Sequence, residues 1–217
     1  MAAAGVLRDT LTDPETGALA EIDPRSRLLA AFTKVASEGG YSQVRVAAVC
    51  RSAGLPEATF EECFSDLEDA LLAAQEAFHR RLWLEIEAGC QTASRWPLRV
   101  RAAVVAAIEA LVESSASARL FAVEAPGASL AAASLQFSAL DRLAALLAEG
   151  RRHFPRAQNL PEATERSLVG GAVSIVSQHL LAEQAGALTG LRAQLVEVLL
   201  GPYLGEEEAR GVAVGVS

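Results

Sequence analysis

Aromatic residues are scarce in this sequence. Only 5% of its 217 residues are Phe, Trp or Tyr, although 51% are hydrophobic. The apolar residues are mostly Ala, Leu and Val, which suit close packing of helices better than a sheet rich in β-branched and aromatic side chains. The composition therefore predicts an all-α fold with few or no strands.

Cysteine is also rare, and its pattern excludes a disulfide framework. The three cysteines, Cys50, Cys63 and Cys90, are an odd number at unrelated spacings, without a CxxC pair or a histidine at metal-ligand spacing. We expect no metal site, and the pattern fits a reducing cytosol best.

Long apolar runs and a secretory signal are absent as well. The longest uncharged stretches, residues 125–140 and 167–182, contain Ser, Gln or His and are shorter than the roughly 18 apolar residues that a membrane span needs. The first residues lack a positive cluster followed by an apolar run, and acidic residues begin at Asp9. We expect a cytoplasmic protein that does not contact a membrane.

Catalytic motifs are missing from the sequence. It contains no HExxH, GxSxG, GxGxxG, phosphate-binding loop or Cys–His arrangement. The adjacent carboxylates Glu61 and Glu62 would point about 100° apart on a helix, which is poor geometry for shared acid–base chemistry. We therefore predict no catalytic residues and no cofactor.

The charge balance is acidic. The formal net charge is −8 and the isoelectric point is near 5.0, so the molecule as a whole repels polyanions. Any nucleic-acid surface must be a local patch on this acidic protein.

The chain divides into four predicted segments. Residues 1–23 are expected to form a mobile acidic arm, and residues 205–217 a flexible tail. Residues 24–72 contain three short helical patterns, the second and third joined by a turn at Gly54, which describes a helix-turn-helix. Residues 73–204 form a larger helical domain, which brings the expected total to about nine helices.

Start and stop signals give approximate helix bounds. Ser65 and Glu68 have the spacing of a capping box, which would open a long fourth helix to about Ala88. Further helices are expected at about 97–114, 116–124, 128–152, 161–184 and 188–200, and Gly201-Pro202 is expected to end the last of them.

Residues 27–74 resemble the DNA-binding domain of the TetR family of transcriptional regulators. The matching core, turn and cap positions are Leu29, Ala31, Gly40, Val46, Val49, Ala53, Gly54, Leu55, Thr59, Phe60, Phe64, Glu68 and Leu71. The segments RLFAVEAPG, LVGGAVSIVSQHLL and VEVLLGPYLG resemble parts of the family's C-terminal domain. The resemblance implies a homodimeric repressor whose third helix reads operator DNA and whose C-terminal domain binds a small-molecule effector.

The third helix departs from the family pattern. The family usually has Ser at the position of Pro56, a basic or polar residue at that of Glu57 and Tyr at that of Glu61. It usually has His at the position of Cys63, which Glu62 precedes, and Lys at that of Leu67. Residues 24–72 carry five basic and seven acidic side chains. Carboxylates near phosphates oppose the counterion release that supplies non-specific affinity, although Glu can accept a hydrogen bond from cytosine. Two hypotheses stay open. The protein either binds operator DNA, or it is a TetR-like protein that has lost operator binding and binds a ligand or another protein instead.

The resemblance to the TetR DNA-binding domain also implies which residues contact DNA. These candidates are Arg45, Arg51, Glu57, Thr59, Glu61 and Glu62. A surface arginine is as often only solvated, and Thr59 could instead bond to its own helix backbone.

The larger domain supplies candidates for an effector pocket and a dimer interface. The pocket candidates are Leu111, Phe121, Phe137 and Gln178, although aromatic residues at helical spacing are also typical of an ordinary core. The interface candidates are Leu168, Gly171, Ile175, His179, Leu195 and Leu199. His179 is also compatible with a core histidine whose hydrogen bond is satisfied within the chain.

Overall fold

The computed structural model describes residues 23–182 and 184–215. Within these ranges the chain is all-α and has no strand, which confirms the predicted fold class. The helices are α1 (Pro24–Gly39), α2 (Val46–Ala53), α3 (Glu57–Cys63), α4 (Leu67–Gln91), α5 (Trp96–Glu113), α6 (Ser115–Arg119), α7 (Leu130–Ala148), α8 (Thr164–Leu181), α9 (Arg192–Leu204) and α10 (Glu206–Val214). Except for Asp23, the expected acidic arm lies outside the described residues.

The first three helices form the predicted helix-turn-helix. The buried side chains of Leu28, Phe32, Val49 and Phe60 pack together at its centre. Gly54 joins α2 to α3 with φ +65°, a backbone conformation that costs other residues energy because of their Cβ. The sequence alone therefore located this motif correctly.

The start of α4 lies one residue later than the capping box that we predicted. Asp66, not Ser65, is the N-cap, and its Oδ1 accepts a hydrogen bond from the Asp69 N–H at 2.8 Å. The Asp69 carboxylate in turn accepts from the Ser65 N–H at 3.1 Å. The two aspartate carboxylates therefore accept hydrogen bonds from two backbone N–H groups at the start of α4. Asp66 can replace Ser65 in this role because Asp is as effective an N-cap as Ser.

The long helix α4 connects the helix-turn-helix to the larger bundle. It packs along α5, and Gly89 permits a close approach because a Cβ there would lie 2.9 Å from the Ala102 carbonyl oxygen. After α6, Leu120–Glu124 continue as a π-helical turn and Ala125–Gly127 as a 3₁₀ turn. Leu120 and Phe121 of this stretch are buried in the core of the helix-turn-helix, so the two units share apolar contacts.

The last helices differ from the predicted bounds. A 3₁₀ segment, Ala185–Leu191, replaces the predicted start of the helix, and α9 continues through Gly201 and Pro202 to Leu204. Pro202 has no N–H and so leaves out one helical hydrogen bond. The burial of Leu200 and Tyr203, on either side of the Gly201-Pro202 pair, stabilises the helix in spite of this loss.

The expected flexible tail is wrong for residues 206–214, which form α10. Ala209, Val212 and Ala213 recur at three- and four-residue spacing and are buried in the core that α9 also lines. Gly205 makes the turn with φ +90°, and acidic residues in the first turn favour the helix dipole.

A buried carboxylate fastens α8 to α9. Glu165 is only 5% exposed and receives hydrogen bonds from Arg151 at 2.7 and 2.8 Å and from the Tyr203 hydroxyl at 2.6 Å. Burial opposes ionisation of Glu165, but these hydrogen bonds outweigh it and lower the pKa of the carboxyl. Burial raises the pKa of the Tyr203 hydroxyl, and the hydrogen bond to the Glu165 carboxylate raises it further.

Among the described residues, one stretch is long and apolar enough to cross a membrane by length and composition alone. It covers Leu130–Arg152 with a mean hydropathy of 1.3, and little of it is buried. Asp141 and Arg142 lie near its middle, and charged side chains are costly at the centre of a bilayer.

Candidate functional site

The recognition helix α3 presents carboxylates to solvent. Glu57, Glu61 and Glu62 are exposed, whereas Thr59 is partly buried. Phe60 holds the helix on the core, with its ring centroid 5.4 Å from that of Phe64. The structure therefore brings the three predicted glutamates to the outer surface of the motif.

The two candidate arginines lie at opposite ends of α2. Arg45 precedes the helix and donates hydrogen bonds to the carbonyls of Ser42 and Val44 at 3.1 and 2.7 Å. Arg51 is exposed in the last turn. Both are accessible to a phosphate backbone, and their role in DNA binding stays a prediction.

The larger domain encloses an apolar cavity of about 180 Å³ between α4, α5, α7, α8 and α9. Its lining is almost wholly aliphatic and alanine side chains, together with Phe78. His79, Gln136 and Ser177 are its polar residues, and no charged side chain lines it. Such a cavity is suited to an apolar ligand, because an ionic group inside it would lose hydration without gaining a charged partner.

Two polar side chains, His79 and Gln136, lie next to each other in the cavity wall. Burial lowers the pKa of His79, and the hydrogen-bonding side chain of Gln136 partly offsets this effect. The Gln136 Oε1 atom is itself buried from solvent.

A second, more open cleft of about 340 Å³ lies between α4 and α7 and shares a wall with the cavity. Arg80, Trp83 and Arg142 line it, together with the carboxylate of Glu76. The Arg142 guanidinium lies 3.8 Å from the Trp83 ring centroid, a cation–π contact. The shared wall consists of His79, Leu82, Ile86, Ala139 and Leu143.

Of the four pocket candidates, Leu111 lines the apolar cavity and the other three do not. Leu111 lies in the cavity wall, and Phe121 is buried beside it without lining it. Phe137 is 65% exposed and Gln178 is also on the surface, so neither is a pocket residue. Each follows a cavity-lining residue in the sequence, and one helical step turns a side chain by about 100°.

Phe121 has a different role from the one predicted, because it connects the cavity to the helix-turn-helix. Its ring centroid lies 5.3 Å from that of Phe78, which lines the cavity. Phe121 itself belongs to the core that holds α1 to α4. Arg119, two residues earlier, donates to the Ser37 carbonyl of α1 at 3.4 Å. A ligand beside Phe78 would therefore press on a side chain packed against the helix-turn-helix.

The dimer candidates are also revised. Leu195 and Leu199 are buried within the chain and line the cavity, so they are not available to a partner. His179 Nδ1 lies 2.9 Å from the Ile175 carbonyl oxygen of its own helix, while Leu168 and Ile175 are partly buried. Gly171 is exposed, and nothing lies within 4 Å of where its Cβ would be.

From Ser167 onward the exposed residues of α8 are uncharged, and so are the two exposed residues of α9, although Arg192 and Glu197 of α9 are partly exposed. Residues exposed at helical spacing are Ser167, Gly171, Ser174, Gln178 and Leu181 on α8 and Gln194 and Val198 on α9. The two helices pack against each other. The sequence prediction included Gly171 of this stripe, but its other apolar candidates, above all Leu195 and Leu199, face inward.

Solved structures with the same fold include transcriptional regulators. The fatty acid degradation regulator FadR from Bacillus halodurans matches with a TM-score of 0.72 and 21% identity, over 81% of this chain and 97% of its own. FadR from Bacillus subtilis, in complex with stearoyl-CoA, matches with a TM-score of 0.69 and 19% identity, over 83% and 98%. TetR-family regulators are among the other matches, so the chain has a TetR-like fold.

The fold also occurs in a protein of different function. The superantigen PfiT matches with a TM-score of 0.52 and 18% identity, over 94% of this chain and 98% of its own. No family model matches the sequence, and no curated protein is significantly similar to it. At these identities the comparisons establish the fold alone.

Proposed function

We propose that this protein is a TetR-like transcriptional regulator, a repressor that binds operator DNA as a homodimer and is released by a small-molecule ligand that has an apolar part. The observation that carries the proposal is the contact between Phe78 in the cavity wall and Phe121 in the core of the helix-turn-helix. It supplies a direct mechanical connection between the two sites that such a regulator must couple.

DNA contact is assigned to the helix-turn-helix. Arg45 and Arg51 contact phosphates, and α3 enters the major groove. Glu57, Glu61 and Glu62 face the bases, where a carboxylate accepts hydrogen bonds from the cytosine amino group. The acidic surface lowers affinity for random DNA more than for the operator, because only the operator offers these hydrogen bonds.

The effector is assigned to the apolar cavity. The wall, to which Leu111 contributes, offers no ionic partner, so the part of the ligand that lies inside the cavity is uncharged. FadR from Bacillus subtilis was solved with stearoyl-CoA, whose acyl chain is apolar, and this supports an aliphatic chain as the occupant.

Dimerisation is assigned to the uncharged stripe on α8 and α9. Small residues such as Gly171 let two helices approach closely, and the absence of charge makes burial inexpensive. A symmetric dimer would present two copies of α3 to successive major grooves about 34 to 36 Å apart.

The acidic α3 favours a second candidate function, a TetR-like protein that does not bind operators. Three exposed glutamates would suit a basic protein surface better than a phosphate backbone. PfiT supports the idea that this fold serves functions outside transcription. Ligand binding in the cavity would be retained in that case.

The two candidates are separated by selection from fragmented genomic DNA on the immobilised protein. The regulator predicts enrichment of a few fragments that share a palindrome with half-sites one helical turn apart. Uniform recovery of fragments at every salt concentration would contradict it and favour the second candidate.

A further inference from the structure

We propose that the apolar cavity and the cleft between α4 and α7 form one binding site for an elongated molecule with an apolar tail and an anionic head. The tail lies in the cavity and the head lies in the cleft beside Arg80 and Arg142. The inference rests on the proposed ligand-responsive function and specifies the class of ligand and its orientation.

The first argument is geometric. The cavity and the cleft share the side chains of His79, Leu82, Ile86, Ala139 and Leu143, so only this layer separates them. The cavity alone, at about 180 Å³, is smaller than the roughly 300 to 1,000 Å³ of typical ligand pockets, whereas the cleft of about 340 Å³ beside it lies within that range. A ligand whose tail fills the cavity therefore has room for a larger head group in the neighbouring cleft.

The second argument is the contrast in polarity. The cavity wall has no charged side chain, whereas the cleft contains two guanidinium groups and a single carboxylate, Glu76. Arg80 makes no hydrogen bond or ion pair with any described residue. Arg142 has only a 3.6 Å contact to Glu87 besides its stacking on Trp83. Arg80 is therefore available to bind a carboxylate or phosphate, and Arg142 could do so by exchanging its long contact to Glu87 for a shorter one.

A polar atom of a cleft residue also lacks a partner. The indole Nε1 of Trp83 is buried and has no hydrogen-bond partner within the described structure, and Trp83 lines the cleft. An indole N–H can donate to an anionic or carbonyl oxygen, so a head group with such oxygens would satisfy a group that is otherwise left unpaired.

The test compares ligands that share one tail and differ in the head. Isothermal titration calorimetry of the full chain would use a long-chain alkanoate, its coenzyme A thioester and its neutral methyl ester. We expect the alkanoate, the thioester or both to bind at least 10-fold more tightly than the ester, and their ranking distinguishes a free carboxylate from a phosphate-bearing head.

Variants locate the head group. Substituting R80Q and R142Q together should weaken anionic-ligand binding by about 10- to 100-fold, as expected for losing charge-assisted hydrogen bonds, and leave the ester unaffected. E76Q should strengthen anionic binding, and R210Q, which changes an exposed arginine of α10, is the matched control. All four positions are on the surface, so folding should be preserved.

Equal affinity for the charged ligands and the ester, or no effect of the double variant, would overturn the proposal, as would failure of all three ligands to bind. Operator binding is measured separately without ligand. Loss of operator binding alone would contradict the proposed function while leaving this site intact, so the two failures are distinguishable.

Discussion

Replacing Glu165 by Gln should destabilise the fold more than any other single change of a charged residue that we consider. The carboxylate is 5% exposed and accepts three short hydrogen bonds, two from Arg151 and one from Tyr203. Removing one partner of a buried ion pair costs about 3 to 5 kcal/mol, because the other charge is left uncompensated. Since the Arg151 side chain is 25% exposed, we expect the lower end, about 3 kcal/mol.

Urea unfolding followed by circular dichroism would measure this loss, at one fixed protein concentration because a dimer's stability depends on it. Glu162→Gln is the control, since Glu162 is exposed in the same segment. The lowered pKa of Glu165 adds a pH test. Its contribution is present above the ordinary value of 4.5 and is lost as the pH falls through the folded value, so the variant should lack this loss. A loss of less than about 1 kcal/mol would refute the reasoning.

Three further predictions concern the cavity, its histidine and the dimer. Ala107→Phe should fill the cavity, raise the melting temperature and abolish binding of aliphatic ligands; unchanged binding in calorimetry would show that the ligand lies elsewhere. Because burial lowers the pKa of His79, stability should fall as the pH drops below about 6.5, and His79→Gln should reduce this fall in thermal unfolding; an identical fall in both proteins would contradict it. Gly171→Arg should convert the dimer to a monomer without loss of helicity, whereas the control Ser134→Arg, on the exposed side of α7, should leave the dimer intact. Light scattering would measure the molar mass of both variants, and the same mass for both would contradict the proposed interface.

Features set by local signals could be predicted from the sequence. The composition indicated helices, and the turn at Gly54 between two amphipathic patterns located the helix-turn-helix. These predictions succeeded because a positive φ and a 3.6-residue period depend on residues that are neighbours in the chain.

The pocket and the interface depended on rotation about each helix. Phe137 and Gln178 were chosen for chemistry, but each lies one residue from the face that lines the cavity. Leu195 and Leu199 were expected on the outer face of their helix, but both side chains are buried inside the protein. A sequence gives the period of a helix more reliably than the direction of its apolar side when several helices surround it.

Contacts between distant segments were not accessible to sequence reasoning. Glu165 gave no signal of burial, because its partners Arg151 and Tyr203 lie 14 and 38 residues away. The last helix, α10, was missed because its short apolar face is stabilised by packing rather than by intrinsic propensity.

The most direct test of the central claim is DNA binding by the natural protein and by a variant with E57Q, E61Q and E62Q. Fluorescence anisotropy would measure both proteins on the gene's own upstream DNA and on random DNA at several salt concentrations. We predict that the natural protein binds the upstream DNA selectively, and that the variant gains affinity for random DNA while losing selectivity. Operator binding would be contradicted if the natural protein bound both DNAs with the same affinity and the variant gained the same affinity for both.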